Sequence, residues 1–236
     1  MNIEILYPEL CCLYGEKGNM MFLKQCLPEA NFIETRLNDR PAFLDQNVSL
    51  CYIGSCSEQS QELLLDKLRP FKDEIKALIE TKKTLFLATG NAMELFVNKI
   101  VCEDQREIEA LGIVSGFAKR QAPQRFNTLL KTKFKDMTVI GYTSRFSHTY
   151  DLDPNHAFCE VEIGTGSQPN TKYDGIYQGG LIATYCIGNL LVSNPDFTHW
   201  LLQQLNCDRA LPFEKEIRKA YEVKLQEFTK PHLELA

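Results

Sequence analysis

Two strand-like segments, each followed by a turn of small residues and a helix, limit the fold of this chain more than any other feature. Leu50–Ile53 is an apolar run that ends in the turn Gly54–Ser57, and the long amphipathic segment Glu58–Lys82 follows. Thr84–Ala88 repeats the arrangement, with the turn Thr89–Ala92 before a further helical segment. Because such units pair their strands in parallel beneath covering helices, the sequence predicts an α/β fold with a mostly parallel, doubly wound sheet and helices on both faces.

The rest of the chain supplies the remaining elements. Pro70 is expected to split Glu58–Lys82 into two helices, since proline removes an intrahelical hydrogen bond. Short strands in the second half predict a mixed or antiparallel extension of the same sheet, and without a repeat or linker residues 1–236 are expected to form one domain. The other predicted strands are Ile3–Leu6, Asn31–Arg36, Val114–Arg120, Phe126–Phe134, Thr138–Tyr142, Phe158–Ile163 and Gly175–Gln178, and the other helices are Asn19–Cys26, Met93–Val97, Pro195–Leu205 and Phe213–Thr229.

Composition argues against several classes of function. The net charge is -5 and no segment is strongly basic, so nucleic-acid binding has little electrostatic support. The nine cysteines are scattered and the four histidines do not cluster, which favours a reducing compartment and no metal site. Met1–Tyr7 lacks the basic and long apolar regions of a signal peptide, and no stretch reaches the about 20 apolar residues of a membrane span. A soluble cytoplasmic protein without a membrane segment or cofactor is expected.

The two turns are the natural place for a ligand. In doubly wound sheets, ligands bind at the carboxyl ends of the strands. Small residues there let backbone N–H groups face the ligand, and a helix N-terminus favours negative charge. The alternative is that small residues only ease the packing of strand against helix.

A longer pattern extends over most of the chain, from about Leu6 to Trp200. Its segments are Leu6–Leu10, Leu13–Asn19, Gly54–Gln59, Leu111–Ile113, Arg125, Gly141–Tyr142, Thr149–Tyr150, Asp174–Gly175, Thr184–Tyr185, Gly188–Leu191 and Asn194–Pro195. In these segments the chain resembles the cobyric-acid-synthase-like (CobB/CobQ) branch of class I glutamine amidotransferases, and within it the glutaminase subunits of lipid II isoglutaminyl synthase. The resemblance implies a flavodoxin-like α/β domain, a glutamine-like ligand and a Mur-ligase-like synthetase partner in peptidoglycan amidation.

The departures from the family pattern lie in the chemistry. The family's second turn reads Cys-Gly-Gly-x-Gln-Leu, and here Gly90 stands at the position of the nucleophilic cysteine. The family's later signature reads Thr-Tyr-Leu-His-Gly, and here Ile187 stands at the position of the base. Glutamine hydrolysis by the usual mechanism needs a thiolate and a base that activates it, and their loss costs several powers of ten in rate. The sequence therefore predicts a catalytically degenerate protein without catalytic residues of the usual kind.

Another cysteine is the main alternative to this prediction. Cys56 lies on the first turn, near a predicted helix N-terminus that can lower a thiol pKa, and would act as a displaced nucleophile. It would need a histidine partner, and the resemblance places His148 best. The alternative is that Cys56 is a small residue in a tight turn, and that Cys186, beside the base position, belongs to the core.

Three residues are candidates for ligand binding. The guanidinium of Arg125 suits the α-carboxylate of glutamine or a similar acid, although a solvated surface arginine would also fit. Ser55 on the first turn and Asn91 on the second are candidates for a polar ligand, as is Glu94. Both Asn91 and Glu94 are also ordinary residues for the start of a helix.

Three functions follow from these observations. The first is a degenerate amidotransferase-like subunit that keeps the fold and serves as a non-hydrolysing partner or binds a small amino-acid ligand. The second is an active enzyme that uses Cys56. The third is a plain protein-binding module that uses the charged helix Phe213–Thr229, although a charged helix face is usually only solvated.

Overall fold

The computed structural model of this protein describes residues 1–230. Its strands are β1 (Asn2–Leu6), β2 (Asn31–Thr35), β3 (Val48–Ile53), β4 (Leu85–Thr89), β5 (Lys99–Val101), β6 (Glu107–Glu109), β7 (Phe117–Arg120), β8 (Phe126–Phe134), β9 (Met137–Arg145), β10 (Ser147–Tyr150), β11 (Cys159–Ile163), β12 (Tyr173–Asp174), β13 (Ile176–Gln178) and β14 (Leu181–Thr184). Its α-helices are α1 (Glu16–Cys26), α2 (Glu58–Leu68), α3 (Lys72–Glu80), α4 (Leu190–Ser193), α5 (Pro195–Gln204) and α6 (Glu214–Glu227).

The central sheet has the order β13-β14-β4-β3-β1-β2. Every neighbouring pair is parallel except β13 with β14, so the predicted mostly parallel sheet is confirmed. The chain runs from β1 outward to β2 and then returns to β3 on the other side of β1. This change of direction opens a crevice at the carboxyl ends of β1 and β3, where ligands of such sheets bind.

Both faces of the central sheet are covered, as predicted. Successive strand residues point to opposite faces, and in β3 Cys51 and Ile53 join the core beneath α2 and α3, whereas Leu50 and Tyr52 join the core beneath α1, α5 and α6. The same alternation occurs in β4 and β14. Burial on both faces explains why these strands read as continuous apolar runs.

The segment after β3 follows the prediction, and the segment after β4 departs from it. A 3₁₀ turn at Arg69–Phe71 separates α2 from α3, which confirms the split at Pro70. The helix predicted at Met93–Val97 is instead a 3₁₀ helix over Gly90–Phe96, and all seven of its residues are buried. Packing on every side, which the apolar pattern does not encode, sets the path of this segment.

The strands of the second half were predicted to extend the central sheet, and this is right for only one of them. β13 pairs antiparallel with β14 at the edge of that sheet. The other four belong to two separate sheets, with the orders β10-β7-β5-β6 and β12-β11-β8-β9. In the second of these, β8 and β9 form a long hairpin from Phe126 opposite Arg145 to Phe134 opposite Met137, and β11 covers the other edge of β8. The strand β8 is thus paired on both sides over Lys131–Lys133.

The described residues also bear on the other expectations. Residues 1–230 contain no helix with the length and apolar character of a membrane crossing. Over the same range, no three His, Cys, Asp or Glu side chains are grouped as metal ligands would be. All nine cysteines are free, and Cys186 is buried as predicted. His232 lies outside the described residues.

Candidate functional site

The two turns at the carboxyl ends of β3 and β4 are tied to each other by one side chain. The Asn91 amide accepts a hydrogen bond from the Cys56 backbone N–H at 3.0 Å and donates one to the Cys56 carbonyl at 2.8 Å. Gln61 of α2 donates to the Asn91 carbonyl at 2.6 Å. The side-chain amide of Asn91, a predicted ligand-binding residue, thus holds the first turn against the second through both its oxygen and its nitrogen.

Gly90 stands at the sharp bend between β4 and the 3₁₀ helix. Its φ is +61°, in the left-handed region where a side chain is strained. A Cβ atom placed on Gly90 would lie 2.5 Å from the Ser55 Cβ and 3.2 Å from the Ile187 Cγ2. Carbon atoms pack at about 3.5–4.0 Å. The bend that carries the nucleophile in such turns is therefore kept here, but two neighbouring side chains occupy the space that a nucleophile would need.

Ile187, which the family resemblance places at the position of the base, is buried and pairs through its backbone with β9. Its N–H donates to the Tyr142 carbonyl at 2.9 Å, and the two residues form an antiparallel bridge. Its side chain is 1% exposed and faces Gly90. The position is thus adjacent to the bend, but an aliphatic side chain there can neither accept nor donate a proton.

A buried carboxyl, which the sequence argument did not single out, lies beneath the bend. Glu16, at the start of α1, accepts hydrogen bonds from Asn19 at 2.9 Å and from the Tyr52 hydroxyl, and Ser55 Oγ lies 3.3 Å from it. Burial raises the pKa of Glu16, and these hydrogen bonds oppose that rise. The signal in the sequence was the acidic residue inside Leu13–Asn19, a segment that the family resemblance included.

Ser55, Asn91 and Arg125, the three predicted ligand-binding residues, line one cavity of about 160 Å³ together with Gly90 and Cys56. Arg125 is exposed at its mouth, where it donates to the Tyr14 hydroxyl at 2.7 Å and to Ser144 Oγ at 3.1 Å. Its guanidinium lies 4.2 Å from the centre of the Phe146 ring. None of the ion pairs in residues 1–230 involves Arg125, so its charge is available to an acidic ligand.

Cys56 and His148, the alternative nucleophile and its partner, line different cavities. Cys56 belongs to the cavity beside Gly90, and His148 to a neighbouring one of about 490 Å³. Among the hydrogen bonds of the described chain, none joins the two side chains. Burial and the nearby charge of Arg145 lower the pKa of His148 to about 4, so its imidazole is neutral near pH 7.

Glu94, a further candidate for ligand binding, lies behind the bend and away from the cavity. Its carboxyl accepts hydrogen bonds from Gln61 at 2.9 Å, from the Tyr185 hydroxyl at 2.8 Å and from Ser147. Burial raises its pKa. These contacts connect the 3₁₀ helix to α2, β10 and the end of β14, which gives Glu94 a structural role.

Comparison with known proteins agrees with this geometry. Residues 2–194 match the family described as the CobB/CobQ-like glutamine amidotransferase domain. This chain belongs to that family. The resemblance recognised in the sequence is thereby confirmed.

Two curated relatives share most of the chain. The chain is 24% identical over 221 residues to the GatD subunit of lipid II isoglutaminyl synthase (glutamine-hydrolyzing) from Staphylococcus aureus, covering 91% of this chain and 88% of that protein. It is 22% identical over 206 residues to the GatD subunit from Streptococcus pneumoniae, covering 86% and 79%.

Solved structures support the fold. One described as glutamine amidotransferase superposes with a TM-score of 0.56 at 12% identity and covers 86% of this chain and 99% of its own. The PurLQS structure from Thermotoga maritima gives a TM-score of 0.54 at 10% identity, with 95% and 98% covered. The α/β fold predicted from the sequence is confirmed.

Proposed function

We propose that this protein is a catalytically degenerate glutamine amidotransferase domain that does not hydrolyse glutamine. The observation that carries the proposal is the filled space at Gly90, where the Ser55 Cβ would lie 2.5 Å from any Cβ at that position. A bare loss of the cysteine would leave a gap. Here Ser55 and Ile187 pack into it, so the nucleophile position is part of the core.

The biological setting that we propose rests on the curated relatives. Both are GatD subunits of lipid II isoglutaminyl synthases, and the match covers most of both chains. We therefore place this protein beside a Mur-ligase-like synthetase, as a single-domain, non-hydrolysing subunit in the amidation of lipid II. The free charge of Arg125 at the smaller cavity supports a retained glutamine-like ligand, whose α-carboxylate the guanidinium would hold.

Ammonia release from glutamine tests the loss of activity. The purified protein, alone and co-expressed with a Mur-ligase-like synthetase, is assayed beside a Cys56→Ala variant. We expect no release above the blank from any of these samples. Release that disappears in Cys56→Ala would contradict the proposal and would make Cys56 the nucleophile.

That alternative has one structural observation in its favour. Cys56 lines the smaller cavity and precedes α2 by one residue, Ser57, whose hydroxyl accepts a hydrogen bond from the Ser60 N–H at 3.1 Å and so caps the helix. It lacks a base, because the hydrogen bonds of residues 1–230 give Cys56 no imidazole partner. An active Cys56 would therefore need a proton acceptor other than His148.

Calorimetry with glutamine tests the ligand. A charge-assisted hydrogen bond contributes about 1.5–3 kcal/mol, so Arg125→Gln should weaken glutamine binding by about 10–150-fold. The matched control is Arg36→Gln, which removes an exposed arginine just after β2, an edge strand of the central sheet. Equal glutamine affinity in the wild type and Arg125→Gln would exclude the proposed role of Arg125.

Co-purification distinguishes the proposed role as a synthetase subunit from the role of a plain protein-binding module. We expect the tagged protein to retain the co-expressed Mur-ligase-like synthetase through a gel-filtration step. A synthetase that elutes separately, while an unrelated protein binds through α6, would favour the third function.

A further inference from the structure

Two half-buried hydroxyl groups at the smaller cavity accept hydrogen bonds from Arg125 and donate none within the described chain. Arg125 Nη1 donates to the Tyr14 hydroxyl at 2.7 Å and to Ser144 Oγ at 3.1 Å, and all three residues line this cavity. Among the hydrogen bonds of residues 1–230, Arg125 makes no use of Nε or Nη2. Because both hydroxyl oxygens lie within 3.1 Å of one guanidinium nitrogen, their free hydrogens are offered close to the guanidinium.

The guanidinium of Arg125 has a fixed orientation before any ligand binds. It lies 4.2 Å from the centre of the Phe146 ring, and a cation over an aromatic face is attracted to it. A hydroxyl that accepts a bond from a cation is polarised and becomes a stronger donor. Tyr14 has a φ of +54°, which is rare for a bulky residue, and such conformations cluster at binding sites. These groups together form a preorganised set of donors for a carboxylate.

The smaller cavity also has a negative group. Of the described residues that line it, Glu58 alone carries a carboxylate. Glu58 lies in the first turn of α2, where the helix dipole favours the anionic form. Within residues 1–230 its side chain takes part in no ion pair, with Arg125 or with any other residue. The cavity is thus lined by one cation and one anion that do not neutralise each other.

We propose that the smaller cavity binds a free α-amino acid through both of its charged groups. The α-carboxylate accepts hydrogen bonds from the guanidinium of Arg125 and from the hydroxyls of Tyr14 and Ser144. The α-ammonium, which has only donors, binds the carboxylate of Glu58. This inference rests on the proposed glutamine-like ligand and adds that the ligand is selected by its free amino group as well as by its carboxylate.

Calorimetry on the full-length protein with three ligands tests this selection. The ligands are L-glutamine, glutaramate, which lacks the α-amino group without added bulk, and the α-amide of glutamine, which lacks the α-carboxylate charge. We expect glutamine to bind and each of the other two to bind at least tenfold more weakly. Equal affinity for glutaramate would overturn the ammonium site, and equal affinity for the α-amide would overturn the carboxylate site.

The Glu58→Gln variant identifies the group that holds the ammonium. It should weaken glutamine binding by at least tenfold and leave glutaramate binding unchanged, because glutaramate has no ammonium to lose. The matched control is Glu222→Gln, which removes an exposed carboxylate on α6 and should change neither affinity. A Glu58→Gln protein that loses the same factor for both ligands would refute the contact, since a merely structural role would weaken both alike.

The Tyr14→Phe variant tests the carboxylate site in the same way. It should weaken glutamine binding by about tenfold, leave the α-amide unchanged and leave the melting temperature unchanged. The matched control is Tyr173→Phe, which removes the hydroxyl of an exposed tyrosine on β12. Unaltered glutamine affinity in Tyr14→Phe would overturn the role of this hydroxyl.

Failure of this inference and failure of the proposed function give different results. Glutamine and glutaramate that bind the wild type equally would overturn the selection by the amino group and leave a retained glutamine-like ligand standing. Absence of glutamine binding would overturn both the selection and the retained ligand. The loss of hydrolysis is decided separately, by the ammonia assay.

Discussion

Replacing Gly90 by cysteine should destabilise the protein instead of restoring an enzyme. The new Cβ would lie 2.5 Å from the Ser55 Cβ, which is about 1–1.5 Å inside ordinary carbon contact, and 3.2 Å from the Ile187 Cγ2. Overpacking of a core costs about 1–3 kcal/mol. The φ of +61° adds about 1–2 kcal/mol for a residue with a Cβ. We expect Gly90→Cys to lower the free energy of unfolding by about 2–5 kcal/mol.

A double-mutant cycle identifies the cause of that loss. Ser55→Gly removes the atom in closest contact, so the Gly90→Cys/Ser55→Gly protein should recover the part due to overpacking, about 1–3 kcal/mol. The part due to the positive φ remains. Ser55→Gly alone should cost about 0.5–1 kcal/mol through added backbone freedom. The cycle therefore predicts a favourable coupling between positions 55 and 90.

Equilibrium urea unfolding, followed by the fluorescence of Trp200, measures all four proteins. Gly90→Ala is the matched control, since it has the same Cβ and φ without a thiol and should lose nearly as much stability as Gly90→Cys. The reasoning is refuted if Gly90→Ala unfolds at the wild-type urea concentration. It is also refuted if Ser55→Gly gives no rescue of Gly90→Cys.

Three further predictions concern the same region. Ammonia release from glutamine should appear only when Gly90→Cys, Ser55→Gly and Ile187→His are combined, since each pair lacks nucleophile, space or base; release from any pair would contradict this. Asn91→Ala should lower the free energy of unfolding in urea by about 2–4 kcal/mol, because it leaves the buried N–H and carbonyl of Cys56 unpaired; a loss below 1 kcal/mol would refute the clamp between the turns. In the folded protein the pKa of His148 is lowered from 6.5 to about 4, so the unfolded chain binds a proton at higher pH than the folded chain does. The free energy of unfolding should therefore fall as the pH falls from 6.5 to 4, by up to about 3 kcal/mol relative to the His148→Gln variant. Parallel pH profiles of urea unfolding for the two proteins would show that His148 is not responsible.

The central sheet could be predicted from the sequence because its strands are buried on both faces. Apolar runs such as Leu50–Ile53 and turns of small residues are local signals, and they suffice for β3, β4 and their turns. The separate sheets could not be predicted, since pairing partners such as Phe126 and Arg145 are determined by contacts between distant residues. The helix predicted at Met93–Val97 was wrong for a related reason: the 3₁₀ helix Gly90–Phe96 is buried on all sides, and such burial removes the periodic pattern that identifies an α-helix.

The candidate site was predicted unevenly. Gly90 and Ile187, at the positions that the family resemblance gives to the cysteine and the histidine, can be read directly from the sequence. Ser55 and Asn91 were predicted from the two turns, and Arg125 was predicted from the family resemblance. The roles of Ser55 and Asn91 were not visible, because a hydroxyl or amide that packs or clamps has the same sequence signal as one that binds. Arg145, which is buried and lines the smaller cavity, was missed, since an arginine inside a strand gives no sequence signal of its burial.

The contact between Ser55 and the bend at Gly90 has a historical consequence. A side chain at 90 meets the Cβ of Ser55, so the two positions constrain each other and a residue with a Cβ at both destabilises the protein. A change of Gly90 to cysteine alone would lower the free energy of unfolding, so selection for stability opposes that change as long as Ser55 is present. Sequences descended from the same loss should therefore carry serine at 55 only where glycine occupies 90, and a lineage with cysteine at 90 should keep glycine at 55.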